Sequence, residues 1–321
     1  EKTNIGHEIN NLQKEINNDN FITKLNQLLK LEPQNAYLHG ILGDHHGINL
    51  NFRQAKIYQE KAISLNPFEE VFYINLSKSL SSLKLYENSL KVLKLSKVLK
   101  PKDFEINLLM ARCLIKLLKY KAAFDVYNEL ILIDSNNIEI SLEFCKYLLD
   151  FKETDKAIEI LDKINSKKDY LNEITMLYGV AKLNKELPKE AKELFLEVLN
   201  FDKKSSNLYT LIGIADEKLN MYSEAIKNHK KAIELDPGNF IAYNNLAIIT
   251  SFFGKIKEAI TYLHKSIEIN EEYHEGIYKL GQLQLYSMKF KEGWKNFESR
   301  WFCSEYNHKK INTNKMQLKE I

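Results

Sequence analysis

Residues 206–239 read SNLYTLIGIADEKLNMYSEAIKNHKKAIELDPGN. Apolar and small side chains fall at Leu208, Leu211, Ile212 and Ala215, stop near the fifteenth position, and resume at Tyr222, Ala225, Ile226, His229, Ala232, Ile233 and Leu235. That spacing predicts two helices of about a dozen residues each, joined by a short turn. Pro237 follows the second helix, where a residue without an N–H ends it. The same pattern recurs on both sides at a spacing of 34 residues. Pro33, Pro67, Pro101 and Pro237 are separated by 34, 34 and four times 34 residues. Small residues recur on the same period at Gly43, Ser77, Ala111, Cys145, Gly179, Gly213, Ala247 and Gly281. A second column runs through Ala55, Ser89, Ala123, Ala157, Ala191, Ala225, Ala259 and Gly293.

A fixed period of this length means one supersecondary unit stacked many times. Units starting at residues 2, 36, 70, 104, 138, 172, 206, 240 and 274 tile residues 2–307 without insertion or deletion. A chain of 321 residues is near the limit of a single core, a limit that stacked units escape. The fold class is therefore all-α, an α-solenoid. The eighth and twentieth positions read as the place where the two helices of a unit cross, since only a small side chain admits a close approach. The seventeenth column (Phe52, Tyr86, Tyr120, Tyr222, Phe290) reads as core packing. Residues 165–171 lack the closing proline and carry Asn165 and Lys167 where other units have Ile and Leu. They are expected to be the least regular and softest joint.

The pattern resembles the tetratricopeptide repeat family, on Leu42, Gly43, Ala55, Ala62 and Pro67 in one unit and Ile212, Gly213, Tyr222, Ala225, Ala232 and Pro237 in another. The resemblance implies a right-handed superhelix of about nine helix-turn-helix repeats. Residues 1–35, with Ile9 and Phe21 at the small positions, are expected to form a degenerate N-terminal cap, residues 36–307 eight repeats, and residues 308–321 a tail. It also implies that first helices line a concave face. On that face the ninth position reads Asp44, Lys78, Arg112, Lys146, Val180, Ile214, Ile248 and Gln282, and the fifth contributes Ile74, Leu108, Leu142 and Met176. A groove that is basic and then apolar is expected to take a protein or extended peptide carrying acidic and then apolar residues. The alternative is that Lys78, Arg112 and Lys146 are neutralised by Glu105, Glu139 and Glu173 of neighbouring units. Gly40 and Gly47 share a helix face and either admit a partner's backbone or mark a loosely selected terminal helix.

Residues 288–301, MKFKEGWKNFESRW, resemble the terminal repeat of bacterial proteins in which such an array precedes a glycosyltransferase-type domain. By that resemblance the chain is the non-catalytic, substrate-selecting arm of a larger enzyme. Trp294, Phe297 and Trp301 then dock a following domain or cap the last unit, and the tail leads into that domain. A self-associating scaffold is a third possibility. Eukaryotic O-linked N-acetylglucosamine transferases carry an asparagine ladder at the sixth position. Here that column has asparagine only at Asn75 and Asn245 among the eight units from residue 36.

The charge is balanced, 46 basic against 43 acidic residues for a net +3, which does not point to a nucleic-acid partner. No stretch reaches the roughly 18–20 apolar residues of a membrane span, and no membrane partner is expected. Cys113, Cys145 and Cys303 form no CxxC pair and read as reduced thiols, so the expected location is the cytoplasm. The chain begins at Glu1, so it reads as a piece of a longer one and a preceding targeting segment stays open. His39, His45 and His46 lack metal-ligand spacing, His229 reads as a core histidine, and no phosphate loop or nucleophile elbow occurs. No catalytic residue, metal or cofactor is expected within these residues.

Overall fold

The computed structural model describes residues 21–303, and every regular element among them is helical. The chain divides into two compact units, Glu1–Ile140 and Ser141–Ile321. The N-terminal unit contains α1 (Phe21–Leu31), α2 (Ala36–Ile48), α3 (Phe52–Leu65), α4 (Glu70–Ser82), α5 (Tyr86–Leu99), α6 (Phe104–Lys116) and α7 (Tyr120–Ile133). The division falls inside α8 (Ile138–Asp150). The C-terminal unit continues with α9 (Thr154–Ile164), α10 (Leu171–Asn184), α11 (Pro188–Leu199), α12 (Ser206–Lys218), α13 (Tyr222–Leu235), α14 (Phe240–Phe252), α15 (Ile256–Ile269), α16 (His274–Tyr286) and α17 (Phe290–Phe297). Short 3-10 turns occupy Lys168–Tyr170 and Glu298–Phe302. The molecule is a solenoid of helical repeats, built from hairpins that each span one 34-residue period.

The break at the fifteenth position has a specific backbone cause. Leu50, Lys84 and Leu118 in the N-terminal unit, and Lys152, Glu186, Asn220, Gly254 and Met288 in the C-terminal unit, all adopt positive φ. Each ends a first helix by a double backbone bond. The N–H of Leu50 reaches the Gly47 carbonyl at 3.1 Å and that of Asn51 reaches His46 at 2.8 Å. That is the Schellman arrangement, which satisfies carbonyls otherwise left open at a helix end. First helices are often capped by a short polar side chain, as when Asn35, Asp103, Ser205 and Asn239 accept from amides of the first turn. The second helices that begin at Phe52, Tyr86, Tyr120, Tyr222 and Ile256 start straight out of the left-handed turn without a side-chain cap bond.

The crossing is close at the expected positions: Ser89 Oγ of the twentieth donates to the Ser77 carbonyl of the eighth at 3.0 Å, and a Cβ on Gly281 would lie 3.0 Å from the Gly293 carbonyl. The eighth position also meets the twenty-fourth. A Cβ on Gly43 would lie 2.6 Å from Gln59, one on Gly179 2.4 Å from Phe195, and one on Gly213 2.5 Å from His229. Where the eighth residue is Ser77, Cys145 or Ala247, the twenty-fourth is Leu93, Leu161 or Leu263. The twentieth position faces the twelfth as well: Gly293 lies against Leu285, and Ala55 against Gly47. Cores of adjacent hairpins merge by the same logic, as in the cluster of Ala191, Phe195, Val198, Leu208 and Ile212. Gly40 is filled by the ring of Phe72 from the next hairpin, at 2.5 Å from a Cβ placed there, so it offers no opening to a partner's backbone.

One further expectation changes. The seventeenth column is not core: Phe290 is exposed, and Phe52, Tyr86, Tyr120 and Tyr222 are half-buried. That position opens the second helix at the turn edge, where neighbours cover one side of the ring. At residues 165–171 the irregularity is local. α9 ends at Ile164 after 11 residues, the 3-10 turn takes up the chain, and α10 starts at Leu171. Pro188 stands in the first turn of α11, where its missing N–H is one of those no helix bond would use.

Candidate functional site

In the N-terminal unit the ninth-position residues stand on α2, α4 and α6. Asp44 is drawn in between hairpins: its Oδ1 accepts from Gln59 Nε2 and from Asn75 Nδ2, each at 2.6 Å. Burial pushes its carboxyl up to about 6, against the opposing pull of those two amides and of the Lys78 charge. Asp44 lines a small cleft of about 100 Å³ with Tyr37, Ile41, Glu69, Val71 and Phe72. Tyr37 donates its hydroxyl to Glu69 Oε2 at 2.7 Å, which raises the pKa of that phenol.

Lys78 is exposed on α4 and meets Glu105 Oε1 at 2.6 Å. Arg112 is exposed on α6. In the C-terminal unit Lys146 repeats the arrangement with Glu173 Oε1, again at 2.6 Å. The ninth-column lysines therefore reach the second-position glutamate of the following hairpin. Such solvent-exposed pairs contribute little to stability, about 0–1 kcal/mol.

The apolar residues split by burial. Ile74, Leu142 and Asn245 are buried and present almost no surface. Leu108, Met176, Val180 and Ile214 are half-buried, and Ile248 is 36% exposed. Asn75 is engaged by Asp44, whereas the Nδ2 of Asn245 is buried with no hydrogen-bond partner among the described residues. Beside Ile248 lies a cleft of about 140 Å³, lined also by Ser251, Lys279, Gln282 and Leu283.

The last hairpin is organised around an arginine. Arg300 lies over the rings of Phe297 (4.5 Å) and Trp301 (4.6 Å), and Trp301 donates its Nε1 to Glu298 at 2.9 Å. Trp294 is exposed and packs edge-on against Phe297. Trp294 and Trp301 do not share one helix face, since α17 ends at Phe297 and Trp301 belongs to the 3-10 turn. The tail 308–321 and Ile9 lie outside the described residues.

Two features escaped the sequence reading. Asp216, wholly buried on α12, takes Lys192 Nζ at 2.6 Å and Asn228 Nδ2 at 2.8 Å. His229, also wholly buried, places Nε2 2.7 Å from Glu217. The expected core histidine is thus also part of a polar pair. All three cysteines are free and buried, and burial raises the Cys145 thiol to about 12. His45 and His46 pack on Phe21 and Tyr58. Among the described residues no group of three or more His, Cys, Asp or Glu is placed to hold a metal ion, and no helix is long and apolar enough to cross a membrane.

Two family models, both described as tetratricopeptide repeat, match residues 206–239 and 230–261. The chain is 25% identical over 175 residues to the BBSome complex member BBS4 of Bos taurus, covering 54% of this chain and 34% of that protein. It is 32% identical over 115 residues to the protein O-mannosyl-transferase TMTC3 of Homo sapiens, covering 35% of this chain and 12% of that one. It thus spans about a third or less of the length of these relatives. The crystal structure of a tetratricopeptide repeat protein from Parabacteroides merdae superposes with a TM-score of 0.72 at 12% identity, over 82% of this chain and 99% of that one. The chain is accordingly a solenoid of helical repeats in which tetratricopeptide repeats are present.

Proposed function

We propose that this chain is a scaffold that binds a protein or an extended peptide along the face of its first helices. The observation that carries the reading is the apolar row of the C-terminal unit. Met176, Val180 and Ile214 are only half-buried, Ile248 is more open still, and a cleft beside Ile248 can receive a side chain. Lys78 in the N-terminal unit and Lys146 in the C-terminal unit each suit an acidic residue of a ligand. Their present glutamate partners are exposed, so exchanging one carboxylate for another costs little. Residues 36–307 would act as eight repeats, with 1–35 as a cap and 308–321 as a tail. The relatives fit a role in assembly, one being named as a complex member.

The test is a peptide array of acidic-then-apolar sequences probed with the wild type, with Ile214→Glu/Ile248→Glu, and with Lys78→Ala/Arg112→Ala/Lys146→Ala. Both variants should lose at least about tenfold in affinity, near 1.4 kcal/mol, while far-UV circular dichroism stays unchanged. Unaltered binding by both would remove this face from the function. A second reading, the substrate-selecting arm of a larger glycosyltransferase, draws on the transferase among the relatives and on the exposure of Trp294 in the last helix. Sequencing the gene beyond the codon for Ile321 decides between the two.

A further inference from the structure

The edge along which the hairpins turn changes character within the C-terminal unit. Elsewhere ion pairs tie consecutive turns together: Lys119 to Glu87 at 2.9 Å in the N-terminal unit, then Lys185 to Asp155 at 2.8 Å and Lys218 to Glu186 at 2.9 Å in the C-terminal unit. There the ties stop. The next two turns expose Phe252, Phe253, Tyr286 and Met288, the last at 78%. Lys255 and Lys289, which stand just before α15 and α17, meet no carboxylate among the described residues. The aromatics are ordered by one another. Phe252 and Phe253 pack at 5.4 Å, and Tyr222 stacks on Phe252 at 5.2 Å. The cleft between α14 and α16, walled by Ile248 and Leu283, includes Ser251, the residue before Phe252.

Scattered exposed apolar residues need no explanation, but a cluster running across neighbouring turns and flanked by uncompensated cations has the composition of an interface. We propose that this edge docks a second protein segment, an amphipathic helix whose aliphatic side chains lie on Phe252, Phe253 and Tyr286 and whose carboxylates meet Lys255 and Lys289. Charge complementarity selects the acidic partner. The cleft selects a side chain rather than a lipid surface, which has nothing to place in it. An amphipathic helix presents aliphatic side chains on one face every three to four residues, and two of its turns rise about 11 Å. This surface shares the Ile248 cleft with the proposed first-helix face, whereas Val180 and Ile214 of that face do not line the cleft.

The experiment uses the whole 321-residue chain and three probes. These are a fluorescent amphipathic helix of Leu and Glu, its Leu and Lys counterpart, and vesicles of phosphatidylcholine with phosphatidylserine. The Leu/Glu helix should bind, the Leu/Lys helix should not, and the vesicles should not compete. Phe252→Ser with Phe253→Ser should weaken binding at least about tenfold. Lys255→Glu with Lys289→Glu should transfer the preference to the Leu/Lys helix. Val180→Glu with Ile214→Glu should leave the Leu/Glu helix bound, which separates this edge from the first-helix face. The altered turn residues are exposed, and circular dichroism verifies the fold of each variant. Equal binding of the two helices, indifference to the Phe252 and Phe253 changes, or binding to vesicles alone overturns the proposal.

Discussion

Asp44 in the N-terminal unit and Asp216 in the C-terminal unit are both acids drawn between helices, and they are held by different chemistry. Asp44 receives two amide donors, from Gln59 and Asn75, and no cation at ion-pair distance among the described residues. Asp216 is wholly buried and receives one amide, from Asn228, and the ammonium of Lys192. The contrast teaches that satisfying the hydrogen bonds of a carboxylate is not the same as balancing its charge. Amides supply geometry, and only the lysine supplies a counter-charge. The largest effect that would sharpen this contrast is Asp216→Ala. Lys192 keeps 24% of its side chain exposed, so the charge left behind is partly solvated and the loss should be about 1–3 kcal/mol, below that of a pair buried on both sides. Asp44→Ala frees only neutral amides and should cost less. Urea unfolding of both variants, followed by circular dichroism, measures the difference. Equal losses would mean that Lys192 adds nothing beyond what an amide does.

The second test uses pH. The carboxyl of Asp44 sits at about 6 in the folded chain, against an ordinary value of 3.8. Below about 4 the group is protonated in both states and contributes nothing. Between about 4 and 6 the folded state keeps a proton that the unfolded chain has released, so stability falls as pH rises. Above about 6 the cost is complete. Asp44→Asn keeps an oxygen for Gln59 and Asn75 and removes the titration. The variant should match the wild type near pH 4 and exceed it by about 1–3 kcal/mol at pH 7, on about 1.4 kcal/mol per pKa unit less some screening. A difference that does not change with pH would show that Asp44 carries no such burden.

The two acids also show where the sequence stops being readable. The period, the hairpins and the close crossings are legible because they rest on residue size. Gly43, Gly179 and Gly213 stand where any side chain would strike Gln59, Phe195 or His229. That the eighth position meets the twenty-fourth in addition to the twentieth is not legible, since those two positions are four apart on the same helix face. The pairing of Lys78 and Lys146 with Glu105 and Glu173 is visible as one of two alternatives, because both columns repeat. The Asp216 site is not visible at all. Lys192 and Asn228 lie 24 and 12 residues away and belong to no repeated column of charge, so only the stacking of α11, α12 and α13 unites them. The polar tie of Asp44 is hidden for the same reason, since Asn75 is 31 residues distant.

The smallest expected effect contrasts the turns of the two units at one repeated position. Leu118 in the N-terminal unit and Gly254 in the C-terminal unit both occupy the fifteenth place, with φ of 58° and 74°. An L side chain pays roughly 1–2 kcal/mol for that conformation, and glycine does not. Leu118 holds it because two amide bonds close the helix end, Leu118 to Ile115 at 3.0 Å and Lys119 to Leu114 at 2.9 Å. Leu118→Gly keeps both bonds and relieves the backbone, against a gain of freedom in the unfolded chain and the loss of a partly exposed leucine. The balance should be a stabilisation of about 0.5 kcal/mol. No atom stands within 4 Å of a Cβ built on Gly254, so Gly254→Ala meets only the backbone term and should lose about 1 kcal/mol. Opposite shifts of the thermal midpoint for the two substitutions would show that the turn, rather than the side chain it carries, sets the break between helices. Shifts of the same sign would place the preference in the contacts of Leu118 instead.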